Sequence, residues 1–111
     1  MRRVGSVLAA VLLVGVCCAF AGQGSESLVL PVEGKYGEVA FPHWNHQATL
    51  GDCNTCHGMF PQETGAIHRL IADNGLKKKQ VMNNCRACHR TTAKAGNPSG
   101  PVKCFDCHAK G

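Results

Sequence analysis

The chain has 111 residues, a formal net charge of +5, eight cysteines and six histidines, a length that allows one domain at most. Only 5% of its residues are aromatic while 13 are glycine, so it lacks the bulk for an ordinary hydrophobic core, and small chains of this kind are held by disulfides, a metal or a cofactor. No dinucleotide fingerprint, P-loop, hydrolase nucleophile motif or nucleic-acid module is present, which removes those function classes.

In chain order, Arg2 and Arg3 precede an apolar run from Val4 to Phe20 that closes on Ala19-Phe20-Ala21. This pattern predicts a secretory signal peptide over residues 1–21, cleaved after Ala21, and hence an exported protein. A retained N-terminal anchor, or lipid modification at Cys17 or Cys18, is the alternative, although Val14-Gly15-Val16 makes a poor lipobox. Removal of residues 1–21 leaves a single domain over residues 22–111, with ten basic and seven acidic side chains and six cysteines.

Residues 22–27 are small and polar and are expected to be unstructured. Leu28 to Val32 and Glu38 to Phe41 are apolar runs around Gly34-Lys35-Tyr36-Gly37, which predicts a short β-hairpin with Pro31 confining the first strand to an edge. Such a ribbon is marginal in water and needs something to lean on. Pro42 to His46 predicts the first turn of a helix, with His43 and His46 three residues apart on one side. A further short helix is predicted from Thr64 or Gly65 to Asn74, capped by Gly75, with Ile67, Leu70 and Ile71 as its apolar side and His68 close to it. Lys77, Lys78 and Lys79 form a basic cluster, read as a solvated loop or a contact for an acidic partner. Residues 93–102 form a Gly/Pro/Ser-rich connector.

The chemistry lies in three repeats of one pattern: Cys53-Asn54-Thr55-Cys56-His57, Cys85-Arg86-Ala87-Cys88-His89 and Cys104-Phe105-Asp106-Cys107-His108. C-x-x-C-H is the attachment signature of c-type haem. Its thiols lie one turn apart, so both can add to the vinyl groups on one porphyrin edge, and the adjacent histidine turns its imidazole toward the iron. The repeats use every cysteine that remains after the leader is removed. Zinc sites or three disulfides are the rival readings, but neither explains why a histidine follows every second cysteine. Three haems with six propionates would also offset the positive charge of the chain.

Each iron takes two axial ligands, so His57, His89 and His108 leave three positions to fill. His43, His46 and His68 match that number. Two imidazoles leaving the same short helical face cannot sit trans on one iron, so His43 and His46 are expected to reach two neighbouring irons. Met82, three residues before Cys85, rivals His68 for the third position. Irons closed on both faces leave no substrate site, which favours electron transfer over catalysis, and paired imidazoles favour lower potentials than a His/Met pair. A multihaem enzyme, or a haem subunit of a larger reductase, would need an iron with a weak or missing distal ligand.

The order of these features, with F-P-H-x-x-H-Q at Phe41 to Gln47 followed by three C-x-x-C-H runs, resembles the triheme cytochromes c7 within the cytochrome c3 superfamily. The resemblance implies a cofactor-dominated fold, in which a short two-stranded hairpin and a few short helices wrap three c-type haems. It implies that His43 is the distal ligand of the haem on Cys53, Cys56 and His57, that His46 serves the haem on Cys85, Cys88 and His89, and that His68 serves the haem on Cys104, Cys107 and His108. Phe41 would pack between the first two haems. In close members the third distal histidine sits just before the second haem motif, whereas His68 lies well upstream of Cys85. The resemblance further implies a monomeric periplasmic electron carrier of anaerobic respiration, with redox-protein donors and acceptors, no nucleic acid and no stable membrane insertion.

Overall fold

Glycines and prolines divide the chain into short elements. The computed structural model describes residues 24–110, so the predicted signal peptide and its cleavage point lie outside the described residues. The first strand, β1 (Leu28–Leu30), pairs antiparallel with β2 (Tyr36–Phe41) in the register Leu28↔Phe41, Val29↔Ala40 and Leu30↔Val39. Pro31 ends β1 because it has no N–H to give the ladder, and Gly34 turns the link with φ 100°. The hairpin thus forms where expected, with its second strand beginning earlier, at Tyr36.

A third strand, β3 (His108–Lys110), was not expected. It pairs antiparallel with the other edge of β2, through Val39↔His108 and Tyr36↔Lys110, to give a sheet ordered β1-β2-β3. An irregularity lies between the two pairs, and Gly37 sits in it. A Cβ at Gly37 would stand 2.6 Å from the Ala109 carbonyl oxygen, so only glycine lets the last residues approach this closely. The hairpin is therefore stabilised by the third haem motif, which is distant in sequence.

The helices are short. Pro42 caps α1 (His43–Leu50) rather than opening it, and Gly51 closes it in the left-handed region with its N–H bonded to the Gln47 carbonyl at 2.9 Å. The first haem motif forms α2 (Asn54–His57), which Asp52 starts by accepting the Asn54 N–H at 2.9 Å. The predicted third helix is α3 (Ala66–Ala72), shorter by a residue or two at each end. Asn74, not Gly75, takes the positive φ of 60° beyond it, and the N–H groups of Gly75 and Leu76 both return to the Leu70 carbonyl. The longest element is α4 (Gln80–Lys94), with 15 residues. It carries the second haem motif in its interior and runs into the stretch expected to be connector. The third motif forms α5 (Cys104–Cys107) and leads directly into β3.

Among the described residues the hydrophobic core consists of Ala66 and Leu76. Burial of a large side chain contributes about 1.5–3 kcal/mol, so two such small contributions cannot offset the chain entropy of a domain this size. Val29, Trp44, Leu50 and Phe105 remain exposed. Residues 24–27, expected to be loose, lie against α1 instead: the Trp44 N–H bonds the Glu26 carbonyl at 3.1 Å, and the Trp44 indole bonds the Gly24 carbonyl at 3.3 Å.

Candidate functional site

The six cysteines are free thiols, with the first of each motif exposed and the second half-buried. The motifs adjoin one another through α4. Desolvation and then the neighbouring Cys88 push the Cys56 thiol up from its ordinary range. Cys85 is pushed up by desolvation, then by Cys56 and Cys107, and Cys107 by desolvation and then Asp106. Cys85 thus feels a thiol from each of the outer motifs.

The histidines fall into pairs. His43 faces His57 with ring centroids 6.3 Å apart and planes at 88°, and His46 faces His89 at 6.2 Å and 29°. An imidazole nitrogen binds a transition metal at about 2.0 Å and its ring centroid lies about 1.1 Å further back, so two trans imidazoles stand about 6.2 Å apart. The two separations therefore match one iron held between each pair. Helix α1 sends its two histidines to two different proximal histidines. Phe41, the last residue of β2, sits against both, 4.4 Å from His46 and 6.1 Å from His43.

The histidine tautomers follow from their partners. Nδ1 donates to a backbone carbonyl in five of the six: His43 to Ser25 at 3.2 Å, His46 to Pro42 at 2.9 Å, His57 to Phe60 at 3.2 Å, His89 to Pro101 at 2.6 Å and His108 to Gly37 at 2.8 Å. A carbonyl oxygen only accepts, so the proton is on Nδ1 and Nε2 keeps its lone pair for a metal. Such outer partners also fix the ring orientation of a ligand and raise its basicity. None of these carbonyls is legible in the sequence, because every residue has one.

Gly100 is a functional residue of a similar kind. A Cβ there would stand 2.5–2.9 Å from three atoms of the His89 ring. The connector after α4 can therefore cross His89 only as glycine. It is laced in place by the Ser99 hydroxyl bonding the His89 carbonyl at 2.7 Å and by Arg86 Nε bonding the Val102 carbonyl at 3.2 Å.

His68 lies apart. Its side chain is 55% exposed, and its Nε2 faces the Glu33 carboxylate at 3.4 Å. It shares the exposed face of α3 with Arg69, which pairs with Glu63, while Ala66, Ile67, Leu70 and Ile71 turn inward. His108 has Tyr36 as its ring neighbour, at 5.6 Å. The structure thus brings together two histidine pairs and leaves His68 and His108 unpaired with one another. The basic cluster at residues 77–79 is an exposed turn leading into α4.

The donor set fits haem. Each thiol pair is followed by a histidine, two distal histidines stand at the right separation, and the ring nitrogens left available are the metal-binding ones. Among the described residues no group of three or more His, Cys, Asp or Glu converges as a metal cluster.

Three C-x-x-C-H sites on so little polypeptide core define a multihaem c-type cytochrome. Residues 39–109 match the family described as cytochrome c7 and related cytochrome c. The chain is 34% identical over 104 residues to a cytochrome c7 of Geobacter metallireducens, covering 94% of this chain and 97% of that one. It is 33% identical over 82 residues to a cytochrome c3 of Desulfuromonas acetoxidans, with 74% and 97% covered. The solution structure of the triheme cytochrome PpcA from Geobacter sulfurreducens superposes with a TM-score of 0.53 at 31% identity, covering 78% of this chain and all of PpcA. PpcB, a cytochrome c7 of the same organism, gives 0.51 at 29% identity over the same share. The chain belongs to the cytochrome c7 family. Its members are multihaem electron carriers that exchange electrons with redox partners and are not enzymes. Among the described residues no helix is long and apolar enough to cross a membrane.

Proposed function

We propose that this chain is a periplasmic, monomeric electron carrier holding three covalent c-type haems, exported by residues 1–21 with cleavage after Ala21. Cys53 and Cys56, Cys85 and Cys88, and Cys104 and Cys107 form the thioether bonds, with His57, His89 and His108 as proximal ligands. His43 closes the first iron and His46 the second. The observation that carries this reading is the pair of histidine separations, 6.3 and 6.2 Å, set on a chain whose Nδ1 atoms are tied to carbonyls. Bound haem supplies a one-electron couple at each site. The polypeptide holds Nε2 in line through the Nδ1 bonds, keeps small molecules from the axial positions of the first two sites, and brings neighbouring motifs together on α4 so that transfer needs no moving part. Such a carrier takes electrons from respiratory donors and passes them to terminal acceptors or reductases.

Maturation in a host that attaches c-type haem tests this directly. The mass of the secreted product should be that of residues 22–111 plus three haems. A colourless product, or one lacking covalent haem mass, would overturn the reading.

A further inference from the structure

We infer that Met82, and not His68, supplies the distal ligand of the third haem, so that this iron has a His108/Met82 axial pair beside two bis-histidine irons. The inference rests on the three-haem reading above and adds the ligand that reading leaves open. Three observations carry it. First, Nε2 of His68, the atom a ligand needs, is directed to the Glu33 carboxylate at 3.4 Å on an exposed surface, and among the described residues its Nδ1 has no carbonyl partner of the kind that anchors the other five histidines. Every remaining histidine is used: two pairs are complete and His108 is proximal.

Second, α4 carries Met82 toward the third motif. Met82, Cys85, Arg86 and His89 lie at i, i+3, i+4 and i+7 on one helical face. Arg86 on that face bonds the Val102 carbonyl, two residues before Cys104. Met82 stands one turn before Arg86 on that face. Met82 is half-buried, while the polar Asn83 and Asn84 beside it are exposed.

Third, the alternatives lack chemistry or position. Tyr36 lies ring against ring with His108 at 5.6 Å, which leaves no room for an iron and a phenolate oxygen between them. Met59 follows the first motif and its N–H bonds the Cys56 carbonyl, which keeps it beside the first site. A thioether is an established axial ligand of haem iron and raises its potential relative to a second imidazole. The third haem is therefore the most oxidising of the three, and electrons entering elsewhere on the carrier collect at its C-terminal site.

The test uses the matured protein with its haem content first established by mass. Ferric protein should show the weak far-red sulfur-to-iron charge-transfer band, and reduced protein a single methionine methyl resonance shifted far upfield by the porphyrin ring current. Met82→Ala should abolish both and turn one haem of three high-spin. Met82→His should keep all haems low-spin without the sulfur signature and lower the potential of one haem, a readout that stands even where the alanine variant folds poorly. His68→Ala should leave the sulfur signature intact. Three attached haems with no sulfur signature, or a high-spin haem in His68→Ala, would overturn this assignment and leave the carrier reading standing. Fewer than three attached haems would overturn the carrier reading itself.

Discussion

The first two haem sites and the third are built from the same five-residue pattern, yet the protein presents them differently. His57 and His89 are helical residues, each facing a histidine from α1. His108 is extended, with φ −91° and ψ 132°, and opens the strand that joins the sheet. The first two sites depend on side chains meeting across short elements. The third depends on backbone pairing with β2, on Gly37 and on whatever α4 delivers from above Cys85. Identical attachment chemistry thus leaves each iron's second ligand, and hence its potential, to be set by the surroundings.

The largest contrast is expected from removing one haem at a time. Cys85→Ala with Cys88→Ala takes out the middle of the row, and with only Ala66 and Leu76 buried the protein should lose its cooperative thermal transition. Cys104→Ala with Cys107→Ala should leave two haems attached and both low-spin. Circular dichroism melts with haem counts by mass check the pair, and equal damage from both would break the contrast. Next, His46→Ala should turn the second haem high-spin while the first stays low-spin, because His46 faces His89 and His43 faces His57; resonance Raman spin-state markers report this.

Glycine variants sharpen the comparison at the level of packing. Gly100→Ala presses a Cβ on the His89 ring and Gly37→Ala presses one on the Ala109 carbonyl. Overpacking of this kind costs about 1–3 kcal/mol. The first should disturb the spectrum of the second haem only. The second should loosen β3 and the His108 bond to the Gly37 carbonyl, and so disturb the third, as site-resolved NMR of the haem methyls would show.

A subtler difference separates the first site from the second. Perpendicular imidazole planes leave two iron d orbitals nearly degenerate and give a strongly anisotropic low-spin signal, while near-parallel planes split them and give a rhombic one. The 88° of His43/His57 and the 29° of His46/His89 predict one of each in the electron paramagnetic resonance spectrum of the ferric protein. The smallest effect is expected at Glu33→Gln, which removes the exposed partner of His68. Stability should change by no more than about 0.5 kcal/mol and no haem should change spin state.

Much of the site could be read from the residues in order. Haem attachment is a local matter, which needs thiols one turn apart and a histidine beside them, so the three attachment motifs are legible as five-residue runs. The i, i+3 spacing of His43 and His46 is also local, and in the fold the two rings face different histidines, His57 and His89. At α3 the count of histidines points to His68. On that helix Ile67, Leu70 and Ile71 turn inward, as their spacing predicts, and His68, which adjoins that side, turns out. The second motif's place inside a 15-residue helix was hidden because polar and basic residues fill it.

The sequence by itself therefore determined the cofactor and its number, because covalent attachment needs only neighbours along the chain. The tertiary structure decided which histidine of α1 faces which motif histidine, that β3 closes the sheet, and that Gly37 and Gly100 stand where backbone and imidazole nearly touch. Those outcomes depend on contacts between residues far apart in the chain, as between Gly37 and His108 or Ser25 and His43, and no local pattern encodes such a distance.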